Sequence, residues 1–283
     1  LDGDDVTFGD VGVTQLTVTL TETVEAGIIT FNHTTGGQYV IDDNGGGETL
    51  SATGGIFIGD VSIVATTPEV RINAIIADPT SGTTTVTKAG NDIARLYGVN
   101  TYSGGTFIQE DTLRIDNASG LGTGLVTLED LGDTLILDLN FGLNSNIDFA
   151  NDILFTNDGN QKVVRTHDIN GAGTVTLTGA IETQETTARY ARLEANTADT
   201  LIVEGKITGA GGIGSIGVGT TRFENDTNDF TGTLEVGNGT LVVTSINDRT
   251  VASAAGAGTL IELGYNNTSG TLIYEGMGVS TDR

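Results

Sequence analysis

Asn100-Thr101-Tyr102-Ser103-Gly104-Gly105-Thr106-Phe107-Ile108-Gln109-Glu110-Asp111-Thr112-Leu113-Arg114-Ile115 and Asn228-Asp229-Phe230-Thr231-Gly232-Thr233-Leu234-Glu235-Val236-Gly237-Asn238-Gly239-Thr240-Leu241-Val242-Val243 superpose without a gap. Setting Tyr102 on Phe230 brings Asn100 onto Asn228, Ser103 onto Thr231 and Gly104 onto Gly232. Further along, Ile108 meets Val236, Thr112 meets Thr240, Leu113 meets Leu241 and Ile115 meets Val243. Each copy reads as one corner and two short strands. Asn and Gly bracket an aromatic-hydroxyl pair, a strand follows, a second turn falls at Glu110-Asp111 or Asn238-Gly239, and a Thr-Leu strand closes the unit. So small a unit cannot bury its own apolar face and must stack on its neighbours.

The same style extends along most of the chain. In Thr14-Gln15-Leu16-Thr17-Val18-Thr19-Leu20-Thr21, Leu16, Val18 and Leu20 share one face and Thr fills most of the other. Thr134 to Phe141 alternates likewise, and shorter runs occur at 173–178, 200–204 and 239–244. Period two with Thr outside predicts strands half buried on one side. The clusters Asp42-Asp43-Asn44-Gly45-Gly46-Gly47, Asn157-Asp158-Gly159-Asn160, Gly209-Ala210-Gly211-Gly212 and Gly256-Ala257-Gly258 supply the positive φ angles of tight turns. Gly104, Gly232 and Gly239 stand at corners between rungs. One segment, Gln184 to Ala195, carries helix formers (Ala188, Arg189, Ala191, Arg192, Leu193), yet Thr186 and Thr187 lie within it and it reads equally as strand.

Composition narrows the architecture. The absence of Cys excludes disulfide scaffolds and zinc ribbons. A formal charge of −25 opposes phosphate and so nucleic acid. No run approaches the roughly 18 apolar residues of a membrane helix, so direct membrane insertion of this segment is not expected. Hydrophobic content of 37% is enough to bury a core. Sandwiches and barrels use bulky aromatics at their wide points, whereas thin stacked rungs take small and β-branched residues. Aromatic content of only 5% therefore favours a β-solenoid.

The motif Asn-x-(Tyr/Phe)-(Ser/Thr)-Gly, a short strand, then Thr-Leu resembles the autotransporter-associated β-strand repeat of bacterial surface proteins. Copies occupy residues 96–128 and 222–245. The stretch Thr200-Leu201-Ile202-Val203-Glu204-Gly205-Lys206-Ile207-Thr208-Gly209-Ala210-Gly211-Gly212 resembles the strand and turn that lead into that repeat. Residues 5–10, 29–32 and 270–276 resemble its flanking strands. The resemblance implies an all-β fold, a right-handed parallel β-helix, forming the extracellular part of a much larger polypeptide. At roughly 20 to 30 residues per rung the chain would supply about ten to thirteen rungs, as one continuous solenoid over 1–283. The chain begins at Leu1 without Met or leader and shows no amphipathic cap at either end, the pattern expected of a processed chain or a piece of a longer one.

Acidic clusters are the main candidates for chemistry. Asp2, Asp4, Asp5 and Asp10 offer oxygen ligands, as do Asp42, Asp43 and Asn44, and Asn225, Asp226, Asn228 and Asp229. None completes a calcium loop with its alternating Asp and closing Glu, and turn chemistry explains them without a metal; weakly held calcium is the one cofactor they admit. Polysaccharide cleavage needs carboxylates and a base or Arg converging on one groove. Glu182, Glu185, Arg189, Arg192 and Lys206 are the best local mixture, though nothing in the pattern fixes them on one face. His33 and His167 stand too far apart in sequence to suggest a site. No catalytic, cofactor or metal residue is assigned. The reading is a non-catalytic, extracellular structural or adhesive rod, with its own neighbouring segments, surface glycans or host matrix as partners. A filament subunit stacking end to end and a carbohydrate-active β-helix are the alternatives. The dense acidic surface opposes the lateral aggregation that exposed strands invite.

Overall fold

A computed structural model describes residues 3–10, 15–32, 37–59, 69–91, 93–129, 134–141, 146–157, 159–167, 173–187, 191–265, 267–278 and 280–283. Among the sequence-derived candidates, Asp2, His33 and Arg189 lie outside these residues. The described residues contain strands, turns and bends and no helix, and none of their segments is a helix long and apolar enough to cross a membrane. The chain divides into two units, Leu1–Thr127 with Leu131–Asp138, and Leu128–Asp130 with Leu139–Arg283.

In the first unit the chain visits three parallel sheets in turn. Val6–Phe8, Gln15–Thr19 and Val24–Ala26 make the first circuit, and Ile29–Phe31, Gln38–Asp42 and Thr49–Ala52 pair with them, strand for strand, on the second. Ile56–Ile58, Glu69–Ile72 and Ile75–Ile76 make the third. The second unit repeats the device, with Asn146–Phe149, Ile153–Phe155 and Lys162–Thr166 joined by Thr174–Leu177, Ile181–Thr183 and Ala191–Ala195. Among the described residues these pairings are all parallel, which makes the fold an all-β parallel β-helix. Circuits differ in length. A short one carries Ala94 onto Leu113, and a long one carries Tyr39 onto Val70. The second unit spans the same range, from Thr200 onto Thr220 to Thr240 onto Thr271.

Register explains the core. Tyr39, Val70, Ala94 and Leu113 form one inward row, and Ile41, Ile72, Leu96 and Ile115 the next; all are buried. In the second unit Leu177, Val203, Phe223 and Val243 stack in the same manner. Each buried aliphatic side chain removes apolar surface from water, worth about 1.5–3 kcal/mol. Several aromatics help fill the interior: Phe31 stacks on Phe8 at 4.7 Å between centroids, and Tyr39 meets both rings edge-on. Of the segment of mixed propensity, 188–190 lie outside the described residues, 184–187 are irregular, and Ala191–Ala195 is a strand. The odd residues of that strand, Ala191, Leu193 and Ala195, are buried while Arg192 and Glu194 are only half-buried, so period two governs this end of the segment.

The repeated motif works by tying rungs together. Asn228 is fully buried; its Oδ1 accepts the Ile207 N–H at 2.8 Å and its Nδ2 donates to the Ala254 carbonyl at 3.1 Å. Asn100 does the same between the Ile76 N–H (2.8 Å) and the Gly120 carbonyl (2.7 Å). Each side chain thus joins the backbone of one circuit before it to one after it, where Ile207 and Ile76 lie on the last strand of their sheets. Tyr102 and Phe230 fill the interior beside them. Burial raises the Tyr102 phenol above its ordinary range, and its oxygen shares a hydrogen bond with the Thr106 hydroxyl at 2.6 Å.

Two expectations change. Threonine is not confined to the outer face: Thr84, Thr106 and Thr183 are fully buried. Their hydroxyls are used inside, Thr84 donating to the Ala77 carbonyl and Thr183 to the Gly212 carbonyl, both at 2.7 Å. Gly104 and Gly232 are required by close approach and not by positive φ. A Cβ at Gly104 would lie 2.4 Å from the Thr84 carbonyl oxygen, and one at Gly232 would lie 2.2 Å from the Gly212 nitrogen. Positive φ falls on the neighbouring Gly105 (φ 93°) and on the second turn, where Asp111 (φ 49°) takes the same left-handed conformation as its counterpart Gly239 (φ 62°), a region Asp tolerates better than most residues. Gly104→Ala should therefore destabilise by about 1–3 kcal/mol through forced backbone separation. Asp111→Gly should be close to neutral, both read by chemical denaturation.

Candidate functional site

Most described members of the acidic clusters are used by the fold. Asp43 accepts the Gly45 N–H at 3.0 Å and the Gly47 N–H at 2.9 Å, which hold its carboxyl below the usual carboxylate range. Asp42 accepts the Asn44 N–H at 3.0 Å, and Asp5 accepts the Ile28 N–H of the next circuit at 2.9 Å. Asn225 caps the Glu204 carbonyl, Asp226 accepts the Ser245 and Thr244 hydroxyls at 2.6 and 2.7 Å, and Asp229 pairs with Lys206. Among the described residues no group of three or more His, Cys, Asp or Glu converges as a metal site.

The Ser245 and Thr244 hydroxyls, in that order, lower the Asp226 pKa. A lowered native pKa stabilises the fold above the unfolded value and loses that contribution as pH falls toward the native one. Asp226→Asn should therefore have a lower thermal midpoint than the parent at neutral pH. The gap should close as pH drops through the carboxylate range in a pH series of melting curves.

The mixture proposed for polysaccharide chemistry disperses. Glu185 is buried and faces Lys162 at 3.4 Å. Glu182 is exposed and accepts the Gln184 amide at 2.8 Å. Lys206 is committed to Asp229. His167 sits at a strand end, its N–H bonded to the Leu139 carbonyl at 3.0 Å. Of the described members of that mixture, Arg192 alone lines the concavity described next.

That concavity is a lateral groove of about 330 Å³ in the second unit, with Arg192, Glu194, Asn196, Glu235, Asn238 and Tyr265 on its walls. Its walls come from successive circuits. Arg192 lies beside Gly214, and Gly214 beside Glu235, so an outward row carries no side chain between an Arg and a Glu. Their Cα atoms stand two rungs apart, roughly 9–10 Å. Gly237 opens the floor, where an added Cβ would meet Glu235 Oε1 at 3.1 Å and Ile216 Cγ2 at 3.2 Å. Tyr265 is anchored by Thr268: the Tyr265 N–H donates to the Thr268 Oγ1 at 2.9 Å, and that hydroxyl reaches the Gly237 carbonyl of the previous circuit. Asn196 is fixed to Thr166 through its amide and its backbone N–H. Sequence reasoning missed Glu194, Glu235, Asn238 and Tyr265 as a group. They meet only through pairing of successive circuits, Arg192 on Gly214 and Gly214 on Glu235, and no local pattern announces that register.

No family profile matches the chain, and no solved structure matches it. The chain is similar to the adhesin BmaC autotransporter of Brucella suis biovar 1 (strain 1330), with 28% identity over 279 residues. The match covers 96% of this chain and 6% of that relative, so the chain spans a small fraction of the protein it resembles.

Proposed function

We propose that this chain is a stretch of a bacterial cell-surface adhesin passenger, built from autotransporter-associated β-strand repeats and working without catalysis. The observation that carries the reading is similarity to a named adhesin autotransporter across nearly the whole chain. The fold supports it physically. Polar residues of the repeated motif are used to tie circuits together, as at Asn100 and Asn228, and successive circuits add length without enlarging the core. Such a segment serves reach and display: it holds outward-facing side chains at fixed spacing away from a cell.

The test is adhesion by the segment itself. Beads coated with the purified chain should bind epithelial cells or matrix proteins saturably, above beads coated with an equally acidic unrelated protein. Binding no greater than that control would overturn the adhesive reading. Release of new reducing ends from a polysaccharide panel would overturn its non-catalytic part.

A further inference from the structure

We propose that the groove between Arg192 and Glu235 is a binding subsite for a neutral oligosaccharide, which deepens the adhesive reading and rests on it. Three observations converge. The first is the concavity itself, which has a guanidinium from one rung and a carboxylate from two rungs on among its walls. The second is an unmet donor. Arg192 Nε is buried, and among the described residues it has no hydrogen-bond partner. A buried donor left unpaired costs free energy that a ligand acceptor would restore. The third is the mixture of groups on the walls: Glu194 and Glu235 carboxylates, the Arg192 guanidinium, the Asn238 amide and the Tyr265 phenol ring.

A polyol fits this set because every sugar hydroxyl is both donor and acceptor. Its O–H groups can donate to the Glu194 or Glu235 carboxylate. Its hydroxyl or ring oxygens accept from Arg192, and the Asn238 amide serves either role. The apolar C–H face of a pyranose suits the ring of Tyr265, whose backbone the Thr268 hydroxyl ties to the Gly237 carbonyl. Charge sets the selectivity. Two carboxylates against one guanidinium, in a chain of net charge −25, disfavour uronic acids and sulfated sugars.

The experiment titrates the ¹⁵N-labelled chain with neutral glucose, galactose, mannose and N-acetylglucosamine oligosaccharides, a polyuronate oligomer, and a Lys-rich peptide. At least one neutral oligosaccharide should shift the amides of Gly214, Gly237 and Asn238 saturably, and the polyuronate should not. Arg192→Gln and Asn238→Ala should each weaken that binding about tenfold or more, the loss of one ligand hydrogen bond of roughly 1.4 kcal/mol. Gly237→Val, which fills the floor, should remove it. Asn238→Ala should keep the parent melting temperature, so its loss of binding reports the site and not the fold. No neutral sugar shifting these amides, preference for the polyuronate or the peptide, or variants that bind as the parent does would each overturn the subsite. Cell-binding beads carrying Gly237→Val separate the two readings. Adhesion that persists while sugar binding is lost leaves the adhesive reading standing without this groove, whereas sugar binding without bead adhesion removes the adhesive reading and keeps the groove.

Discussion

Asn228→Ala should lower the unfolding free energy by about 2–5 kcal/mol, because it orphans two buried backbone groups, each worth about 1–3 kcal/mol when left unpaired. The Ile207 N–H loses its acceptor and the Ala254 carbonyl loses its donor. Asn100→Ala should cost a similar amount through the Ile76 N–H and the Gly120 carbonyl. Asn225→Ala is the control: that side chain is only half-buried and bonds an exposed partner, so water replaces it and the cost stays below about 1 kcal/mol. Native-state hydrogen exchange localises the effect, since the Ile207 amide should lose protection in Asn228→Ala and keep it in Asn225→Ala. Asn228→Asp refines the test. A carboxylate there still accepts from Ile207 but meets the Ala254 carbonyl with a second lone pair, and burial favours its protonated form. Its pKa is therefore raised in the folded state, so its stability relative to the parent should fall as pH rises through the carboxylate range. Equal stability of Asn228→Ala and the parent would remove the rung-tie reading of the motif.

The second large effect concerns Lys162 and Glu185, both almost wholly inaccessible and 3.4 Å apart. Lys162 Nζ also donates to the Asn160 carbonyl at 3.2 Å. Removing one partner leaves a buried charge, so Glu185→Ala should destabilise by about 3–5 kcal/mol. Replacing both, Lys162→Met with Glu185→Leu, removes the desolvation penalty along with the attraction, and should restore the parent stability or exceed it by about 1–4 kcal/mol. A double variant as unstable as the single one would show that the pair serves packing and not charge balance.

The strands and the core rows were legible because they follow from local alternation and one in-register repeat, whereas the parallel stacking was legible only through the resemblance to a known repeat. Leu113 and Leu241, aligned by sequence alone, are both fully buried on inward rows. Asn100 and Asn228 were visible as motif positions, but their role needed the neighbouring circuits that hold Gly120 and Ala254. Gly104 and Gly232 looked like turn glycines, and only the neighbouring backbone shows that a Cβ has no room. The Lys162–Glu185 pair and the Arg192–Glu235 recess were invisible for one reason. Circuits vary in length, as the step from Ala94 to Leu113 and the longer one from Tyr39 to Val70 illustrate. With period two along each strand, an error of a single position in loop length turns an outward side chain inward.

Stacking of parallel circuits is the claim on which the rest depends, and the absence of Cys makes it accessible to pairwise spin labelling. Thr7, Thr30, Phe57, Thr87 and Phe107 form one row in the first unit. Thr176, Ile202, Arg222, Val242 and Ile273 form one in the second. Labels at Thr7→Cys with Phe107→Cys, and at Thr176→Cys with Ile273→Cys, each span four rungs, roughly 19 Å at about 4.8 Å per rung. Double electron–electron resonance should return one narrow distribution near that distance for both pairs. Distributions centred at more than one and a half times the four-rung spacing, or different for the two pairs, would contradict a chain wound in stacked parallel rungs.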